Sequence, residues 1–172
     1  MIKVTLPDGS VKEMAQGVSP MDVAKSISEG LARNVISASY NGTTIETTTE
    51  LTTDGTLILY TFNDVAGKKA FWHSTSHVMA QVLEEMFPGI KLTLGPAIDN
   101  GFYYDVDFGD LKITDADFKQ IEDRILAVSR EKHEFKMRSV SKAEALEVYK
   151  DNEYKTELIS NLEDGTITFC DH

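Results

Sequence analysis

The stretch that decides the first half of the fold is residues 2–14, IKVTLPDGSVKEM. Its apolar side chains alternate, with Ile2, Val4 and Leu6 on one face, as expected of a strand that is buried on one side. The tetrapeptide PDGS is typical of a tight turn, because Pro7 fixes φ and Gly9 tolerates positive φ. The stretch therefore predicts a β-hairpin at the start of the chain.

The following segment predicts one helix and two more strands. In SPMDVAKSISEG, Ser19 can cap a helix, Pro20 suits its first position and Gly30 is a stop signal. Two later stretches are typical of strands, VISASYNG and GTLILYTF. The order strand–strand–helix–strand–strand predicts a ubiquitin-like β-grasp domain over residues 1–62.

Beyond residue 62 the pattern changes to longer helical periods. One helix is predicted from Asp64 to Glu85, and a hairpin with a DNG turn is predicted over residues 91–108. Three more helices and a last strand follow, in TDADFKQIEDRILAVSREK, SKAEALEVYKD, NEYKTELISNL and GTITFCDH. The fold class is therefore α+β, with a second α+β domain over residues 63–172. Because the last strand stops abruptly, we expect the chain to be part of a longer protein.

The composition restricts the classes of function. Acidic side chains outnumber basic ones by 28 to 17, which gives a formal net charge of −11 at pH 7. Residues 1–62 contribute −3 (four basic, seven acidic), and residues 63–172 contribute −8 (13 basic, 21 acidic). This charge disfavours indiscriminate binding to phosphate backbones, so a free-standing nucleic-acid-binding protein is not expected. A local basic patch, or a neutral pocket for one end of an RNA, is compatible with it.

The sequence contains no pattern of a membrane or secretory segment. No apolar run approaches the roughly 18 residues that a membrane helix needs, and the N-terminus lacks the basic-then-apolar pattern of a signal peptide. Cys170 is the single cysteine, so no internal disulfide can form. We therefore expect a cytoplasmic protein.

Two of the four histidines lie four residues apart in FWHSTSHVMAQ, residues 71–81. On the predicted helix, His73 and His77 are about 40° apart, so their imidazoles are neighbours. The apolar stripe of this helix is expected on the opposite side, formed by Phe71, Val78, Val82 and Met86. Small side chains flank the histidines and leave room for a ligand, namely Ala70, Ser74, Ser76 and Ala80.

Residue chemistry alone leaves three interpretations of the histidine pair open. The imidazoles can share a metal ion, handle a substrate proton, or merely hydrogen-bond backbone groups in a helix–sheet contact. The HExxH pattern of zinc proteases is excluded, since Ser74 occupies the position of its glutamate.

Other chemically versatile residues have ordinary structural interpretations. His133 suits a helix C-terminus, where a cation is favourable, and Lys155 is expected to be a solvated lysine. Tyr103 and Tyr104 are expected to be core and rim aromatics. The pair Cys170 and His172 does not by itself make a metal site.

Several stretches together resemble a known family. The likeness to a TGS domain, the β-grasp module at the front of threonyl-tRNA synthetases, is carried by VTLPDGSVKE, SPMDVAKSI, GLARNVISASYNG and TLILYTF. Two further stretches resemble the segment that follows the TGS domain in that family. They are FWHSTSHVMAQVLEEMFPGIKLTLGPAIDNGFYYD and NEYKTELI. The chain is therefore similar to the N-terminal region of bacterial threonyl-tRNA synthetases, with a TGS domain over residues 1–62 and the N-terminal part of the tRNA editing domain over residues 63–172.

The resemblance implies hydrolytic editing during threonine–tRNA ligation. A pocket sized for threonine cannot strongly refuse serine, because one methyl group is worth only about 1–3 kcal/mol, and a second site hydrolyses the mischarged seryl-tRNA(Thr). By resemblance, the catalytic residues of that second site match His73, His77 and Lys155, and its substrate-binding residues match Gly95 and Tyr104. Neutral imidazoles suit proton transfer near pH 7, and a lysine can stabilise developing negative charge.

The sequence departs from the family pattern near its last residue. The family continues the last strand into a D-x-C-R-G-P-H-like motif, whereas FCDH lacks that continuation, so the family cysteine is not assigned to Cys170. We therefore expect half an editing site and little or no deacylase activity from this chain alone. No cofactor or metal is expected in it; zinc and ATP-Mg are expected only in the aminoacylation core of the family.

The resemblance also sets the expected partners and two alternatives. The acceptor end of tRNA(Thr) is the expected partner of the whole enzyme, a homodimer, whereas this acidic chain alone is expected to be a monomer that binds tRNA weakly. One alternative is a TGS-containing module that docks RNA or a protein partner without catalysis. The other is a metal-binding domain built on His73, His77 and the Cys170 region.

Overall fold

A computed structural model describes residues 1–171 and divides into two compact units, Met1–Trp72 (unit 1) and the residues from His73 onward (unit 2). The predicted strand at the end of the chain extends to His172, which lies outside the described residues.

Unit 1 is a mixed β-sheet with two short helices. Its elements are β1 (Ile2–Thr5), β2 (Val11–Met14), α1 (Pro20–Ile27), α2 (Glu29–Ala32), β3 (Val35–Tyr40), β4 (Thr43–Ile45) and β5 (Gly55–Thr61). The sheet order is β2-β1-β5-β3-β4, with β1 and β5 parallel and the other pairs antiparallel. This arrangement confirms the predicted α+β class with a β-grasp domain.

The core of unit 1 follows from the alternation of apolar residues along β1. Ile2 and Val4 are buried while Lys3 between them is exposed, as the pattern predicts. They pack with Val23 of α1 and Leu57 of β5, both fully buried. The first helix therefore covers the face of the sheet that the sequence marks as apolar.

The first turn and the first helix cap form as predicted. Gly9 has φ +83°, and the Asp8 carboxylate accepts hydrogen bonds from the backbone N–H and the hydroxyl of Ser10, at 2.9 and 2.6 Å. Ser19 and Asp22 form a capping box at the start of α1. These local interactions satisfy backbone donors at the two points where the chain reverses or begins a helix.

The structure corrects one local prediction in unit 1 and adds one strand that was not predicted. Gly30 does not end the first helix, because α1 already ends at Ile27 and Gly30 lies inside α2. The break occurs at Ser28, whose backbone is extended and whose hydroxyl accepts from Leu31 N–H at 3.0 Å, which caps the next helix. Strand β4 was not predicted, although the Asn41–Gly42 turn before it has positive φ at both residues.

Unit 2 contains most of α3 (Val65–Met86), three further helices and three small antiparallel strand pairs. The helices are α4 (Asp115–Glu131), α5 (Lys142–Val148) and α6 (Glu153–Ser160). The strands are β6 (Lys91–Leu92), β7 (Ala97–Ile98), β8 (Gly101–Phe102), β9 (Val106–Asp107), β10 (Lys136–Ser139) and β11 (Thr168–Asp171). The predicted hairpin over residues 91–108 is present as the pairs β6–β9 and β7–β8, and all four predicted helices form.

Unit 2 has two apolar clusters. The larger one joins α3, α4 and the β6–β9 pair, with Val82, Leu92 and Val128 buried at its centre. The smaller one joins α5, α6 and the segment that leads into β11, with Ala145, Ile159 and Ile167 buried. Strand β10, which pairs with β11, was not predicted, because KMRS is mostly polar and is exposed at every position. Within residues 1–171, no helix is long and apolar enough to cross a membrane.

The start of α3 is fixed by Thr61 and Asp64. The Asp64 carboxylate accepts from the Thr61 N–H and hydroxyl, at 2.7 and 3.0 Å, while Asp64 N–H donates to the Thr61 carbonyl at 3.0 Å. Gly67 lies directly over this carbonyl, since a Cβ at Gly67 would lie 2.0 Å from the Thr61 oxygen. A glycine is therefore required where the first turn of the helix meets the end of β5.

We predict that Gly67→Ala destabilises unit 1 by about 1–3 kcal/mol, because overpacking against a backbone carbonyl outweighs the roughly 1 kcal/mol gain in helix propensity. Urea unfolding followed by the fluorescence of Trp72, the only tryptophan in the chain, measures this change. The matched control is Gly30→Ala, where the nearest atom to a new Cβ is the Ser28 hydroxyl at 3.9 Å. The control is expected to be neutral or slightly stabilising; a Gly67→Ala variant as stable as the control would contradict the prediction.

Candidate functional site

The two histidines of α3 form a hydrogen-bonded pair. The Nε2 atoms of His73 and His77 lie 3.2 Å apart, and the ring centroids are 4.7 Å apart with the ring planes at 89°. His73 is exposed and His77 is partly buried. Since a hydrogen bond needs one donor and one acceptor, one Nε2 carries a proton and the other does not. The two Nε2 atoms therefore share one proton, which lies in the hydrogen bond between the rings.

The face of α3 beside the histidines differs in part from the predicted one. Val82 is fully buried on the opposite side, as predicted, but Phe71 is 40% exposed and does not belong to the core. Ser76 and Ala80, expected to be an open rim, are buried, and the Ser76 hydroxyl donates to the His73 carbonyl at 2.7 Å. A long helix packed on several neighbours is buried over more than half of its circumference, so small residues fill its close contacts. The histidines thus lie at the edge of the buried surface.

Lys155 lies in the first turn of α6, which is tied to the β6–β9 pair by three consecutive residues. Asn152 caps α6 by accepting from Lys155 N–H at 3.1 Å, and its side chain donates to the Leu92 carbonyl at 2.8 Å. Glu153 forms an ion pair with Lys91. The Tyr154 hydroxyl donates to the Asp107 carboxylate at 2.9 Å.

The side chain of Lys155 is partly buried rather than solvated, which corrects the structural interpretation made from the sequence alone. Its Nζ lies 5.6 Å from the centre of the Tyr149 ring, and within residues 1–171 it makes no hydrogen bond or ion pair. Burial lowers the pKa of Lys155, and the negative charge of Glu84 opposes this change. A half-buried ammonium group that lacks an anionic partner is a typical feature of a binding or catalytic site.

Glu84 links Lys155 to the helix that carries the histidines. Although Glu84 is exposed as a whole residue, desolvation of its carboxyl group raises its pKa, and the Lys155 charge opposes the rise. Glu84 follows His77 by seven residues, so it lies on the same face of α3, about 10 Å further along. The sequence analysis did not single out Glu84, although this spacing from His77 was visible in the sequence.

Gly95 and Tyr104 are in direct contact. A Cβ at Gly95 would lie 2.3 Å from two carbons of the Tyr104 ring, so the ring rests on the backbone of Gly95. Tyr104 is partly buried and packs against the larger apolar cluster. Burial raises its pKa to about 12, with smaller contributions from Tyr149 and Glu84.

Tyr104 also borders a cavity of about 540 Å³. The other lining residues are Thr93, Asp105, Val106, Asp107 and Tyr154. Neither histidine nor Lys155 lines this cavity. The structure thus brings four of the five predicted site residues into two contacting pairs, His73 with His77 and Gly95 with Tyr104. Lys155 contacts the Tyr149 ring and is coupled to α3 through the charge of Glu84.

The remaining candidates have structural surroundings. His133 Nε2 lies 2.7 Å from the Glu131 carboxylate just beyond the end of α4, which fits the predicted helix-end position. Tyr103 is exposed, whereas Cys170 lies in β11, paired with Met137 of β10. Within residues 1–171, no three His, Cys, Asp or Glu side chains are grouped so that they could hold a metal ion. Within the described part of the chain, a metal on the histidine pair would therefore have only the two imidazoles as ligands.

Comparisons with known proteins give a consistent result along the chain. Residues 2–61 match the TGS domain family. The chain is 80% identical over all 172 residues to the threonine–tRNA ligase of Flavobacterium psychrophilum and 49% identical over 170 residues to that of Parabacteroides distasonis. With that of Cytophaga hutchinsonii it is 46% identical over 171 residues. The chain spans about a quarter of the length of these relatives, 26% in each case.

We predict that Gly95→Ala lowers the pKa of Tyr104 from about 12 toward the ordinary value of 10.0, because the new methyl group displaces the ring from its buried position. Tyrosinate absorbance during alkaline titration, taken as the difference from Tyr104→Phe, measures this change. A tyrosine whose pKa is raised by folding stabilises the fold below about pH 10, and this stabilisation is lost as the pH rises toward 12. Gly95→Ala should therefore make the free energy of unfolding fall less steeply over this pH range. Gly30→Ala serves as the control, and an unchanged difference curve in Gly95→Ala would refute the proposed contact.

We also predict that Glu84→Gln lowers the pKa of Lys155 further, because the substitution removes the negative charge that opposes the effect of burial. Titration of ¹³C-dimethylated lysines by NMR, with the Lys155 resonance assigned from Lys155→Arg, measures the pKa. Glu122→Gln on the exposed face of α4 is the control for loss of one charge from unit 2. An unchanged Lys155 titration in Glu84→Gln would show that the two groups do not interact.

Proposed function

This chain carries a TGS domain and belongs with the N-terminal region of threonyl-tRNA synthetases, which it matches along its whole length, and we propose that it supplies part of a hydrolytic editing site. In the whole ligase this site would remove serine from mischarged tRNA(Thr). Serine lacks one methyl group of threonine, and a site sized for the larger side chain discriminates against the smaller one by only about 10–200-fold. A second, hydrolytic site restores the accuracy that the first cannot reach.

The observation that carries the proposal is the relation between Lys155 and the histidine face of α3. The half-buried Lys155 ammonium has no hydrogen-bonding or ionic partner within residues 1–171, yet it interacts with Glu84 on the face that bears His73 and His77. A partly buried cation, coupled by charge to the helix face that carries a proton-sharing imidazole pair, suits a negatively charged substrate that undergoes proton transfer. An aminoacylated tRNA end has these properties, since it combines phosphates with a hydrolysable ester.

The residues can be given roles consistent with this chemistry. In hydrolysis, a water oxygen forms a bond to the ester carbon, the bond to the ribose oxygen breaks, and the water proton passes to that ribose oxygen. The hydrogen-bonded His73–His77 pair contains both N–H donors and basic nitrogens, so it can orient the water and pass its proton on. Lys155 would stabilise the negative charge that develops on the ester or hold an adjacent phosphate.

Gly95 and Tyr104 would form a wall of the substrate pocket. The Tyr104 ring lies on the backbone of Gly95 and packs against the larger apolar cluster, so its position is fixed by packing. Such a wall can limit the size of the aminoacyl group that enters. This chain alone is expected to carry only part of the site, to clear seryl-tRNA slowly or not at all, and to bind tRNA weakly as a monomer, because its net charge is −11.

We predict that His73→Ala, His77→Ala and Lys155→Ala, each placed in a whole threonine–tRNA ligase that contains this region, slow seryl-tRNA(Thr) hydrolysis by about 10²-fold or more. Threonylation itself should change little. Release of labelled serine from preformed seryl-tRNA(Thr) measures hydrolysis, and thermal unfolding verifies that each variant is folded.

The control is His133→Ala, which removes an exposed histidine that bonds only to Glu131 among the described residues. It should edit at the normal rate. Normal hydrolysis in all three site variants, or rapid clearance of seryl-tRNA by the 172-residue chain alone, would contradict the proposal.

A further inference from the structure

Tyr149 lies where the smaller apolar cluster of unit 2 meets Lys155. It directly follows α5, is partly buried, and packs against that cluster. Lys155 Nζ lies 5.6 Å from the centre of the Tyr149 ring, within the distance of about 6 Å at which a ring face attracts an ammonium group. Among the described residues, this ring and the charge of Glu84, which forms no ion pair there, are the two attractions on the ammonium group.

The Tyr149 ring is itself held by a neighbouring ring. Phe169 of β11 meets it edge to face, with centroids 5.6 Å apart and ring planes at 79°. The Arg138 guanidinium group lies 5.2 Å from the centre of the Phe169 ring. The four side chains form a continuous row from β10 and β11 to α6, in the order Arg138, Phe169, Tyr149 and Lys155.

The two cations at the ends of this row differ in their partners. Arg138 is exposed and pairs with two carboxylates, those of Glu144 and Asp171, at 2.8 and 2.9 Å. Its position therefore does not depend on the Phe169 ring. Lys155 is partly buried, and within residues 1–171 its ammonium group makes no hydrogen bond or ion pair. A desolvated cation gains more from a ring than an exposed one, so the aromatic contact matters most at Lys155.

The backbone of Tyr149 is also joined to the helix that carries Lys155. Its carbonyl accepts from the Asn152 N–H at 2.9 Å and from the Thr156 hydroxyl at 3.0 Å. Asn152 caps α6 and Thr156 directly follows Lys155, so this one carbonyl group is bonded on both sides of the lysine along the chain. The main chain therefore sets the position of the ring relative to the lysine.

We propose that Tyr149 is a positioning residue for Lys155 in the hydrolysis of the ester, and that it acts through its ring face rather than its hydroxyl. Within residues 1–171 the hydroxyl makes no hydrogen bond. A ring attracts the ammonium group without neutralising it, whereas a carboxylate in its place would pair with the lysine and repel an anionic substrate. The role in hydrolysis rests on the proposed editing function; the contact between ring and ammonium group does not.

The first test observes the ring contact in the 172-residue chain. Lysines are labelled by ¹³C-dimethylation, which keeps their charge, and the Lys155 resonance is assigned from Lys155→Arg. Methyl groups that lie over a ring face are shifted upfield by the ring current. We expect this shift in the unsubstituted chain and in Tyr149→Phe, and its loss in Tyr149→Leu. The pKa of Lys155 should also fall further in Tyr149→Leu, because leucine keeps the site apolar but does not attract the charge.

The second test measures hydrolysis in a whole threonine–tRNA ligase that contains this region. Tyr149→Leu should slow seryl-tRNA(Thr) hydrolysis by about 3- to 30-fold, as expected for the loss of one cation–π contact, while Tyr149→Phe should be normal. Tyr149→Met, a second variant that fills the space without a ring, should behave as Tyr149→Leu. Since Tyr149 acts through Lys155, Tyr149→Leu combined with Lys155→Ala should be no slower than Lys155→Ala alone.

The matched control is Leu146→Ala, which removes apolar volume from the same cluster but not the ring beside Lys155. It should hydrolyse seryl-tRNA(Thr) at the normal rate, and threonylation and thermal unfolding verify that each variant is folded. Slowing in Leu146→Ala as large as in Tyr149→Leu would show that the effect is loss of packing, and it would overturn the proposal.

The two tests separate this proposal from the editing proposal. An upfield shift that persists in Tyr149→Leu, or that is missing from the unsubstituted chain, would overturn the ring contact whatever the kinetics show. Normal hydrolysis in Tyr149→Leu, or equal slowing in Tyr149→Phe, would overturn the positioning role. If Lys155→Ala itself hydrolyses seryl-tRNA(Thr) normally, the role in hydrolysis fails together with the proposed function, and the NMR experiment still decides the ring contact.

Discussion

The candidate editing site depends on the attachment of α6 to the β6–β9 strand pair. Asn152 bonds to the Leu92 carbonyl, Glu153 pairs with Lys91, and Tyr154 bonds to Asp107, so three successive side chains hold the first turn of the helix. Each contact alone is worth little at a partly exposed surface. Together they fix the one residue that follows them, Lys155, beneath Tyr149 and within the electrostatic reach of Glu84. The position of this partly buried cation is thus set largely by the polar contacts of the preceding residues, because its ammonium group makes no hydrogen bond or ion pair within residues 1–171.

Much of the fold was predictable because it is encoded locally. The alternation of Ile2 and Val4, the Ser19–Asp22 capping box and the positive φ of Gly9 are all determined by neighbours within a few residues. The elements that escaped prediction, β4 and β10, are short and mostly polar, and their pairing is decided by partners elsewhere in the chain. Gly30 misled the prediction because Ser28, two residues earlier, both ends one helix and caps the next.

The site was less predictable than the fold for the same reason. His73 and His77 could be paired from their spacing, since neighbours on a helix are fixed by its geometry. The environment of Lys155 could not, because it combines residues from α3, from α6 and from just beyond the end of α5. These residues are up to 71 positions apart, from Glu84 to Lys155. Likewise, the contact of Gly95 with Tyr104 spans the β7–β8 hairpin, and the exposure of Phe71 contradicts its place in an apparent apolar stripe. Family likeness suggested Lys155, Gly95 and Tyr104 as candidates, and the structure shows which contacts these residues make.

The imidazole pair has a consequence for how this surface can change over evolutionary time. Because each ring determines the tautomer of the other, substitutions at the two positions are expected to be coupled rather than independent. A replacement at either position removes the hydrogen bond that sets the tautomer of the remaining ring. A protein that has lost one of the two histidines therefore gains little from keeping the other. Related proteins are expected to keep both or to lose both.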